Sequence, residues 1–446
     1  MTEVATIFAL SSAPGRAGVA VIRISGPAAG WVVDVMAGSR PPARLATGRH
    51  LKHPRTGETL DQALVIWFPA PKSFTGEDVA ELQVHGGRAV VQAVLAALGE
   101  FPGCRLAEPG EFARRAFSNG KLDLTMAEGL ADLIDAETEA QRKQALRQAG
   151  GALADLYEGW RGSLIEALAL VEAAIDFSDE GDVGSTTYAQ ATGVACDLLT
   201  ALTRHLDDHH RGEILRDGFQ VVLAGPPNVG KSSLLNALAR RDAAIVSEEA
   251  GTTRDVIEVR LDLDGLPVII SDTAGLREAA GAIEQEGMRR TVARSRAGDL
   301  IIWLMDATAP QSHLPSELSD LADRTLWVSN KMDLRDGGWP EVLPDDMVAI
   351  SARTGRGVSE LTARLTAIAR ERIAPTEHPG LTQERHRANL EECRRWILSF
   401  LDGAPQQLEL RAEDLRLAAS ALGRLTGRVD PEMVLDQVFN RFCIGK

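Results

Sequence analysis

The spacing of apolar residues changes several times along the chain, and each change predicts a different kind of domain. Residues 1–118 carry short β-type runs between Gly and Pro residues, with one helical run near 90–98, which predicts an α+β domain. The clearest β-type runs are 19–24, 63–68 and 80–84.

Helical spacing then dominates up to about residue 214. From Lys121 onward apolar residues recur every three or four positions, which predicts long amphipathic helices. The acidic stretch 179–182 interrupts this pattern and is interpreted as a solvated loop. One further helical run is predicted from about 188 to 214.

A second switch in pattern, near Phe219, predicts a doubly wound α/β domain in which buried strands alternate with helices. Apolar runs on either side of Asp264-Gly265 predict a hairpin that adds an antiparallel edge to the sheet. The strands are expected at 220–224, 256–263, 267–272, 300–305, 326–329 and 347–350.

Helical periodicity returns after Pro375, so the simplest architecture inserts the α/β domain into a helical domain. The fold class is therefore multidomain, with α+β and α/β parts. The expected domains are 1–118, 119–214, 215–376 and 377–446, the second and fourth being the two parts of the helical domain.

Composition and charge narrow the functional classes. The chain has 446 residues, with 48 Lys and Arg against 63 Asp and Glu, a net charge of -15 that disfavours a broad cationic surface for nucleic acid. Its four cysteines are too far apart to suggest a zinc site or a disulfide framework, which favours the cytoplasm. No basic leader or membrane-length apolar run is present, so neither secretion nor membrane insertion is expected.

A phosphate-binding loop is the strongest local signal. Residues 225–232 read G-P-P-N-V-G-K-S, which matches G-x-x-x-x-G-K-S between a predicted strand and a predicted helix. Glycines let backbone N–H groups converge on phosphates, Lys231 adds a positive charge near the β and γ groups, and Ser232 offers a hydroxyl to Mg²⁺.

A base-reading motif follows about 100 residues later. Asn330, Lys331, Met332 and Asp333 form N-K-x-D after a predicted strand, and a carboxylate there accepts both guanine N1–H and N2–H. The motif resembles that of translation-factor-like GTPases and favours GTP over ATP. The segment Ser351-Ala352-Arg353 resembles the stretch that supports the guanine ring in those proteins.

Two segments have the positions of nucleotide switches. Asp272-Thr273-Ala274-Gly275 closes a predicted strand and resembles the D-x-x-G switch, with Asp272 as the carboxylate for magnesium. Leu276 follows, and an alkyl side chain cannot orient the attacking water, so another polar residue of this loop must do so. The candidates are Arg277, Glu278, Glu284 and Glu286.

The first switch is expected in the segment G-T-T-R-D, at 251–255, where a threonine hydroxyl could complete magnesium coordination. Asn228 in the phosphate loop has two interpretations. It is either a turn former or a neutral oxygen ligand for a monovalent cation, whose charge would replace that of an arginine finger.

Together these motifs resemble the MnmE (TrmE) family of bacterial tRNA modification GTPases. The resemblance covers essentially the whole chain, because further matching segments occur in the same order. They are P-G-R-A-G-V-A-V-I-R-I-S-G, S-F-T-G-E-D, A-E-L-Q, H-G-G, P-G-E-F, K-L-D-L and the final C-I-G-K.

The resemblance implies an N-terminal domain that dimerises and binds a tetrahydrofolate, a central helical domain and an inserted Ras-like G domain. It implies a potassium-dependent GTPase, using GTP/GDP, Mg²⁺ and K⁺, whose hydrolysis drives G-domain dimerisation. The homodimer would form a heterotetramer with the flavoprotein MnmG (GidA), which carries FAD. Together they would add a carboxymethylaminomethyl or aminomethyl group to C5 of the wobble uridine of certain tRNAs. Either 5-formyl- or methylene-tetrahydrofolate is compatible with the resemblance.

The resemblance also assigns residues by matching motif positions. Folate contacts are implied for Arg23, Glu81, Lys121 and Lys446. Magnesium ligands are implied at Ser232 and Thr253, and potassium ligands at Asn228, Ser247, Glu249 and Thr252. The implied catalytic residues are Glu284, which would orient water, Cys443, whose chemical role stays open, and Arg254 and Asp255 of the first switch. The implied nucleotide contacts are Asn228, Val229, Gly230, Lys231, Ser232, Ser233, Ser247, Glu248, Glu249, Ala250, Gly251, Thr252, Thr253, Asp272, Thr273, Ala274, Gly275, Asn330, Lys331, Met332, Asp333, Ser351, Ala352 and Arg353.

Two other functions are weighed against this one. A ribosome-assembly GTPase would be expected to carry a basic RNA-binding appendage, which the sequence lacks, and would not need Cys443. A folate enzyme acting alone would need a flavin-binding fingerprint, but the Gly-rich opening at 14–18 lacks the G-x-G-x-x-G spacing.

Overall fold

The structure is a computed structural model, and it describes most of the chain. The described residues are 5–176, 181–240, 244–245, 258–272, 283–309, 314–335, 347–373, 380–429, 432–440, 442 and 444–445, with the backbone alone for 181–185, 283–288, 290, 432–434 and 437. The chain divides into two compact units with interleaved segments. Unit 1 contains Met1–Ala131, Gln148–Cys196 and Arg395–Lys446, and unit 2 contains Asp132–Arg147 and Asp197–Arg394.

A six-stranded sheet forms the N-terminal part of unit 1. Its strands are β1 (Thr6–Leu10), β2 (Ala17–Ser25), β3 (Thr47–Lys52), β4 (Thr59–Phe68), β5 (Val79–Gly86) and β6 (Cys104–Leu106). They lie in the order β3-β4-β5-β2-β1-β6, and among neighbours the pair β1–β6 is parallel while the rest are antiparallel. Alternate residues of β4, such as Val65 and Trp67, are buried, which is the pattern of a sheet covered on one face.

Helices account for much of the remaining chain. They are α1 (Ala29–Ala37), α2 (Arg88–Gly99), α3 (Glu111–Ser118), α4 (Leu124–Asp135), α5 (Glu139–Ala149), α6 (Ala152–Asp176), α7 (Gly181–Leu206), α8 (Arg211–Asp217), α9 (Lys231–Ala239), α10 (Ile283–Ala297), α11 (Val358–Ile373), α12 (Glu384–Asp402), α13 (Leu408–Thr426) and α14 (Glu432–Phe439). Short 3₁₀ helices span Ser316–Arg324 and Met332–Leu334.

Two helix layers stabilise unit 1. The helices α1 and α2 cover the buried face of the sheet, where Val33, Met36 and Leu98 join one apolar core with the strands. The long helices α6 and α13 pack along each other. Their apolar residues recur at helical spacing and are buried, as at Leu164 and Leu422, so burial of these faces stabilises the pair.

The second sheet, in unit 2, is doubly wound. Its strands are β7 (Phe219–Ala224), β8 (Glu258–Leu263), β9 (Leu266–Asp272), β10 (Leu300–Asp306), β11 (Thr325–Asn330) and β12 (Met347–Ala349). They lie in the order β12-β11-β10-β7-β9-β8, all parallel except the hairpin pair β8–β9. The hairpin turns at Asp264 and Gly265, both with positive φ, as the Asp-Gly pair predicts.

The strand order reverses between β7 and β10, which is the point where doubly wound sheets bind ligands. The central strands are buried on both faces because helices pack on each side, so β10 is apolar at nearly every position. The carboxyl ends of β7, β9, β11 and β12 therefore lead into one candidate site.

The predicted fold class is confirmed, since an α+β sheet, helical segments and a doubly wound sheet all occur. The domain boundaries stay predictions. The predicted helix 188–214 is wrong in extent, because α7 begins at Gly181 and ends at Leu206, and α8 is a separate helix. The break contains His209 and His210, both with positive φ, and Asp208 there accepts a hydrogen bond from Arg387 at 2.7 Å. Three strands were not predicted: β1, β3 and β6.

Candidate functional site

The loop after β7 has the backbone of a phosphate-binding loop. Gly225 has φ +150° and lies so close to the Leu304 carbonyl that a side chain would collide with it. Gly230 has φ +98° and precedes the first turn of α9, so the backbone N–H groups of that turn face the loop. A helix N-terminus in this position favours an anionic ligand.

Hydrogen bonds fix the polar side chains in and beside the loop. Lys231 folds back over the loop, and its Nζ donates to the carbonyls of Gly225 at 2.9 Å and Pro226 at 3.0 Å. Ser232 Oγ lies 3.5 Å from Oδ2 of Asp272, the buried last residue of β9. A hydroxyl and a carboxylate oxygen are thus placed side by side, which is the donor set that Mg²⁺ prefers.

Asn330 connects the phosphate loop with the loop after β12. Its Nδ2 donates to the Val229 carbonyl at 2.8 Å, and its Oδ1 accepts from the Ala352 N–H at 2.9 Å. The side chain is almost completely buried, and its bond to Val229 is shielded from water. The amide therefore fixes the distance between the loop that follows β7 and the loop that follows β12.

A hydrogen bond from Ser351 orients the Asp333 carboxylate. Ser351 Oγ donates to Asp333 Oδ1 at 2.6 Å, and the same hydroxyl accepts from the Thr354 N–H at 3.2 Å. Met332 is buried against Ala307 and Ala349, which anchors the backbone beneath this carboxylate. Asp333 and Arg353 are exposed, so a planar ligand with adjacent N–H donors can reach the carboxylate.

A second cluster lies in unit 1 at the predicted folate residues. Arg23 on β2 and Glu81 on β5 are direct partners in the strand register, and Arg23 Nη2 lies 3.1 Å from Glu81 Oε1. Both side chains are 19% exposed. The Arg23 guanidinium lies 5.2 Å from the Phe74 ring and 5.7 Å from the Phe112 ring. On one face of the sheet the Arg23–Glu81 pair therefore lies beside two aromatic rings, of which Phe112 is buried and Phe74 is half-buried.

The chain terminus reaches the same sheet. Ile444 forms an antiparallel bridge with Pro109, and Ser11 Oγ donates to the Gly445 carbonyl at 2.8 Å. Gly445 has φ +103° and packs against the Leu10 carbonyl. Since Leu10 ends the strand β1 that pairs with β2, this contact lies one register position from Arg23.

Comparison with known proteins identifies the family. A family model described as the MnmE helical domain matches residues 124–443, and one described as the GTP-binding protein TrmE N-terminus matches residues 6–121. A protein of Parvibaculum lavamentivorans named tRNA modification GTPase MnmE is 54% identical over 445 residues, which are 99% of this chain and 100% of that protein. The chain belongs to the MnmE family of tRNA modification GTPases. Proteins with the same name from Paramagnetospirillum magneticum and Rhodospirillum rubrum are 52% and 53% identical to this MnmE-family chain, each over 99% of both chains.

Two solved structures are similar to a third and to a half of the chain. The G domain of the T. maritima FeoB iron transporter is 26% identical, covering 33% of this chain and 97% of that one, with a TM-score of 0.25. Aquifex aeolicus Era bound to GDP·AlF4⁻ is 20% identical, covering 50% and 98%, with a TM-score of 0.27. These scores are too low to support a functional argument. Among the helices that the structure describes, none has both the length and the apolarity to cross a bilayer.

The structure brings together only part of the predicted MnmE-family site. The stretches 228–233, 330–333 and 351–353 meet Asp272 at the carboxyl ends of the strands. Within unit 1, the side chain of Lys121 lies against Gly76, in the loop that supplies Phe74. Outside the described residues lie Ser247, Glu248, Glu249, Ala250, Gly251, Thr252, Thr253, Arg254, Asp255, Thr273, Ala274, Gly275, Cys443, Lys446 and the side chain of Glu284.

Two residues near the unit 1 cluster were missed by sequence reasoning. Phe74 and Phe112 lie within the matching segments S-F-T-G-E-D and P-G-E-F, but those segments were used only to recognise the family. Phe74 lies in a loop and Phe112 lies in the first turn of α3, and their only signal in the sequence was their place within those two segments. Their proximity to Arg23 depends on tertiary packing, which the spacing along the chain does not give.

Proposed function

We propose that this protein binds and hydrolyses GTP in unit 2 and that the nucleotide state controls its part in tRNA modification. The observation that carries the proposal is the pair of hydrogen bonds of the buried Asn330 side chain, which join the phosphate loop to the loop beside Asp333. The two loops would hold opposite ends of one guanine nucleotide. GDP would occupy the same site after hydrolysis.

The donor atoms suit the two proposed metal ions. Magnesium would be held by Ser232 and Thr253, with Asp272 beside it, and would neutralise charge on the phosphates. Potassium would be held by Asn228, with Ser247, Glu249 and Thr252. Asn228 is exposed at the loop surface with φ +62°, so its amide oxygen is accessible to a cation beside the phosphates. Glu284 would orient the attacking water, and Arg254 and Asp255 would belong to the first switch.

The unit 1 cluster suits a tetrahydrofolate. Arg23 bonds Glu81 through Nε and Nη2, so Nη1 can still donate to a carboxylate of the glutamate tail. Glu81 can accept pterin N–H groups, and the half-buried Phe74 offers aromatic surface for the ring. Lys121 and Lys446 would add positive charge. The approach of Gly445 to β1 supports a role for the neighbouring Cys443 in the same chemistry.

The remaining parts of the proposal follow from the family. The protein would act as a homodimer whose G domains associate on GTP binding, and it would work with the FAD-carrying MnmG in a heterotetramer. The joint reaction would place a carboxymethylaminomethyl or aminomethyl group on C5 of the wobble uridine. Because tRNA is the substrate, the cytoplasm is the proposed location.

Hydrolysis of GTP by the purified full-length chain, measured in potassium and in sodium buffers, tests the nucleotide site. We expect a rate about tenfold higher in potassium, because the ion supplies a charge at the transition state. Asn228→Ala should remove this difference, and Asn236→Ala, an exposed asparagine on α9, should retain it. Equal rates in both buffers would contradict the potassium role, and absence of hydrolysis in both would contradict the GTPase itself.

Nucleoside analysis of bulk tRNA tests the modification role. A strain lacking this chain should lose the modified wobble uridine, and wild-type protein should restore it. Cys443→Ser should fail to restore it while retaining GTP hydrolysis. Unaltered wobble nucleosides in the deletion strain would favour a ribosome-assembly role instead.

A further inference from the structure

A carboxylate without a role in the proposed function lies at the edge of the nucleotide site. Asp306 is the last residue of β10, and its register partner on β11 is Asn330. The site thus has two carboxylates at strand ends: Asp272 lies beside Ser232, whereas Asp306 lies on β10. An acidic side chain so near a site for an anionic nucleotide is electrostatically unfavourable unless nearby donors compensate its charge.

Donors from two sides compensate this charge. Asp306 Oδ1 accepts from the Thr308 N–H at 2.9 Å and from Thr308 Oγ1 at 2.7 Å. Asp306 Oδ2 accepts from Lys331 Nζ at 2.8 Å. Burial raises the pKa of Asp306, but the bonds from Lys331 and Thr308 outweigh this effect and lower the pKa overall, so the carboxylate is charged at neutral pH. The two carboxylate oxygens therefore have different partners: Oδ1 bonds Thr308 within the turn, and Oδ2 bonds Lys331.

Lys331 has an unusual backbone for a lysine. Its φ of 64° lies in the left-handed region, which is unfavourable for a residue with a Cβ. Its neighbours impose this conformation, since Asn330 is fixed by its two side-chain bonds and the Met332 N–H donates to the Ile350 carbonyl at 3.2 Å. The backbone of Lys331 is thus set by its surroundings, while its flexible side chain is set by Asp306.

We propose that Asp306 is a positioning residue that holds the Lys331 side chain across the base-binding end of the site. The alkyl part of Lys331 then forms a preformed platform for the purine ring, while Asp333 contacts the ring edge. A lysine side chain is flexible, so anchoring its ammonium group before binding removes part of the entropy that binding would otherwise lose. This inference rests on the proposed binding of guanine nucleotides.

A purely structural role for Asp306 would have a different signature. If Asp306 served only to close the 306–309 turn, its bonds to Thr308 would matter and its bond to Lys331 would not. The variant Asp306→Asn separates the two, because its carbonyl oxygen can still accept both Thr308 donors, whereas the neutral amide loses the ionic attraction to Lys331. Thr308→Val removes the hydroxyl bond in the turn and keeps the ion pair.

The test measures binding of fluorescent GDP and of a non-hydrolysable GTP analogue to the full chain, together with KM and kcat for GTP. We expect Asp306→Asn to weaken both nucleotides by about three- to tenfold, because the pair is partly exposed and the base is common to both ligands. KM should rise and kcat at saturating GTP should stay within about twofold. Asp306→Glu, which keeps the charge, should recover most of the affinity.

A double-mutant cycle with Lys331→Met completes the test, with Asp320→Asn as a control. Asp320 pairs with Arg296 at 3.3 Å, and both residues are exposed, so its loss should leave binding unchanged. The double variant should bind nucleotides no more weakly than Lys331→Met alone, since Asp306 affects binding only through Lys331. Melting temperatures should show that Asp306→Asn is folded.

Unchanged nucleotide affinity in Asp306→Asn, independent additive losses in the cycle, or an equal loss in Thr308→Val would overturn the inference while leaving the proposed function intact. Loss of kcat without a change in KM would also overturn it. A wild-type protein that binds no guanine nucleotide would overturn the proposed function and this inference together.

Discussion

Arg260 on β8 forms an ion pair with Glu137, at 3.0 Å, in the segment that precedes α5. The hairpin that carries Arg260 lies between the two predicted switch segments, and it meets the start of α5 a second time where the Ala140 N–H donates to the Gly265 carbonyl at 3.1 Å. If the predicted switch segments move with the nucleotide, that movement would act on the ends of this hairpin. The ion pair and the backbone hydrogen bond attach the hairpin to the start of α5.

Arg260→Met should loosen this link without unfolding unit 2. A partly exposed ion pair contributes about 0.2–1 kcal/mol, so the protection of the Ala140 amide against hydrogen exchange should fall about two- to fivefold. Hydrogen exchange with peptide or residue resolution measures this change. Arg370→Met is the control, because Arg370 pairs with Asp264 of the same hairpin but lies on α11. Equal protection of Ala140 in all three proteins would show that the ion pair does not hold the hairpin to α5.

Removing the Asn330 side chain should affect both stability and nucleotide binding. Asn330→Ala leaves the Val229 carbonyl and the Ala352 N–H without their buried partner, so we expect a loss of about 1–3 kcal/mol in the free energy of unfolding. GDP affinity should fall at least about tenfold, because the two loops lose their common anchor. Urea unfolding and fluorescent GDP titration measure the two effects.

Asn389→Ala is the matched control for this substitution. Asn389 is half-buried on α12, and its Nδ2 donates to the Arg385 carbonyl one turn earlier. Its removal should lower the free energy of unfolding by less than about 1 kcal/mol and leave GDP affinity unchanged. If Asn330→Ala bound GDP as tightly as this control, Asn330 would not determine the geometry of the nucleotide site.

Local motifs predicted the backbone turns at 225–230 and 330–333, because each turn is encoded within a few residues. Gly225, Gly230 and Lys231 specify their turn by themselves, and parallel strands bring their carboxyl ends to one edge, so the meeting of 228–233 with 330–333 followed from topology. The break between α7 and α8 was not predictable in the same way. Asp208 in this break pairs with Arg387, 179 residues later. A contact between residues so far apart in sequence does not affect the local spacing of apolar residues. The aromatic surroundings of Arg23 were missed for the same reason.

A partly buried charge network in unit 1 should make stability sensitive to acid. Glu111 accepts from Arg105 at 2.6 Å and from Arg115 at 2.9 Å, while Arg115 also bonds Glu77. Burial raises the pKa of Glu111, but hydrogen bonds from Arg105, the Glu108 N–H and Arg115 outweigh it, and the pKa is lowered overall. A carboxylate with a lowered folded-state pKa contributes stability above its unfolded pKa, near 4.5, and this contribution is lost as the pH falls through the folded value.

Glu111→Gln should therefore lower the free energy of unfolding at pH 7 by about 2 kcal/mol and flatten its decline below about pH 4.5. Urea unfolding between pH 3 and pH 7 measures both. Glu139→Gln is the control, since Glu139 also lies in the first turn of a helix but is exposed. Hydrogen bonds from Arg142 and Lys143 lower the pKa of Glu139 to about 2, but solvent screens the pair, so little stability should be lost. An unchanged pH profile in Glu111→Gln would contradict the role of the network.

The close approach of Gly110 to α14 sets the position of the chain's last helix within unit 1. Gly110 has φ +68°, and a Cβ at this position would overlap the Phe439 carbonyl. Phe439 is buried and packs against Phe117 and Phe442, so the helix cannot shift without opening an apolar core. Gly110→Ala should lower the free energy of unfolding by about 3 kcal/mol, combining backbone strain with the collision.

Gly103→Ala separates the two contributions. Gly103 also has positive φ, at +74°, but no atom lies within 4 Å of the position that a Cβ would occupy. This variant should therefore lose only about 1 kcal/mol, the cost of the left-handed backbone. Urea unfolding of both variants gives the difference. Equal losses would mean that α14 yields to the added methyl group, and the C-terminal segment would then not be fixed in place by this contact. A larger loss in Gly110→Ala, with accelerated hydrogen exchange confined to α14 and α3, is the expected result, because those helices meet at this glycine.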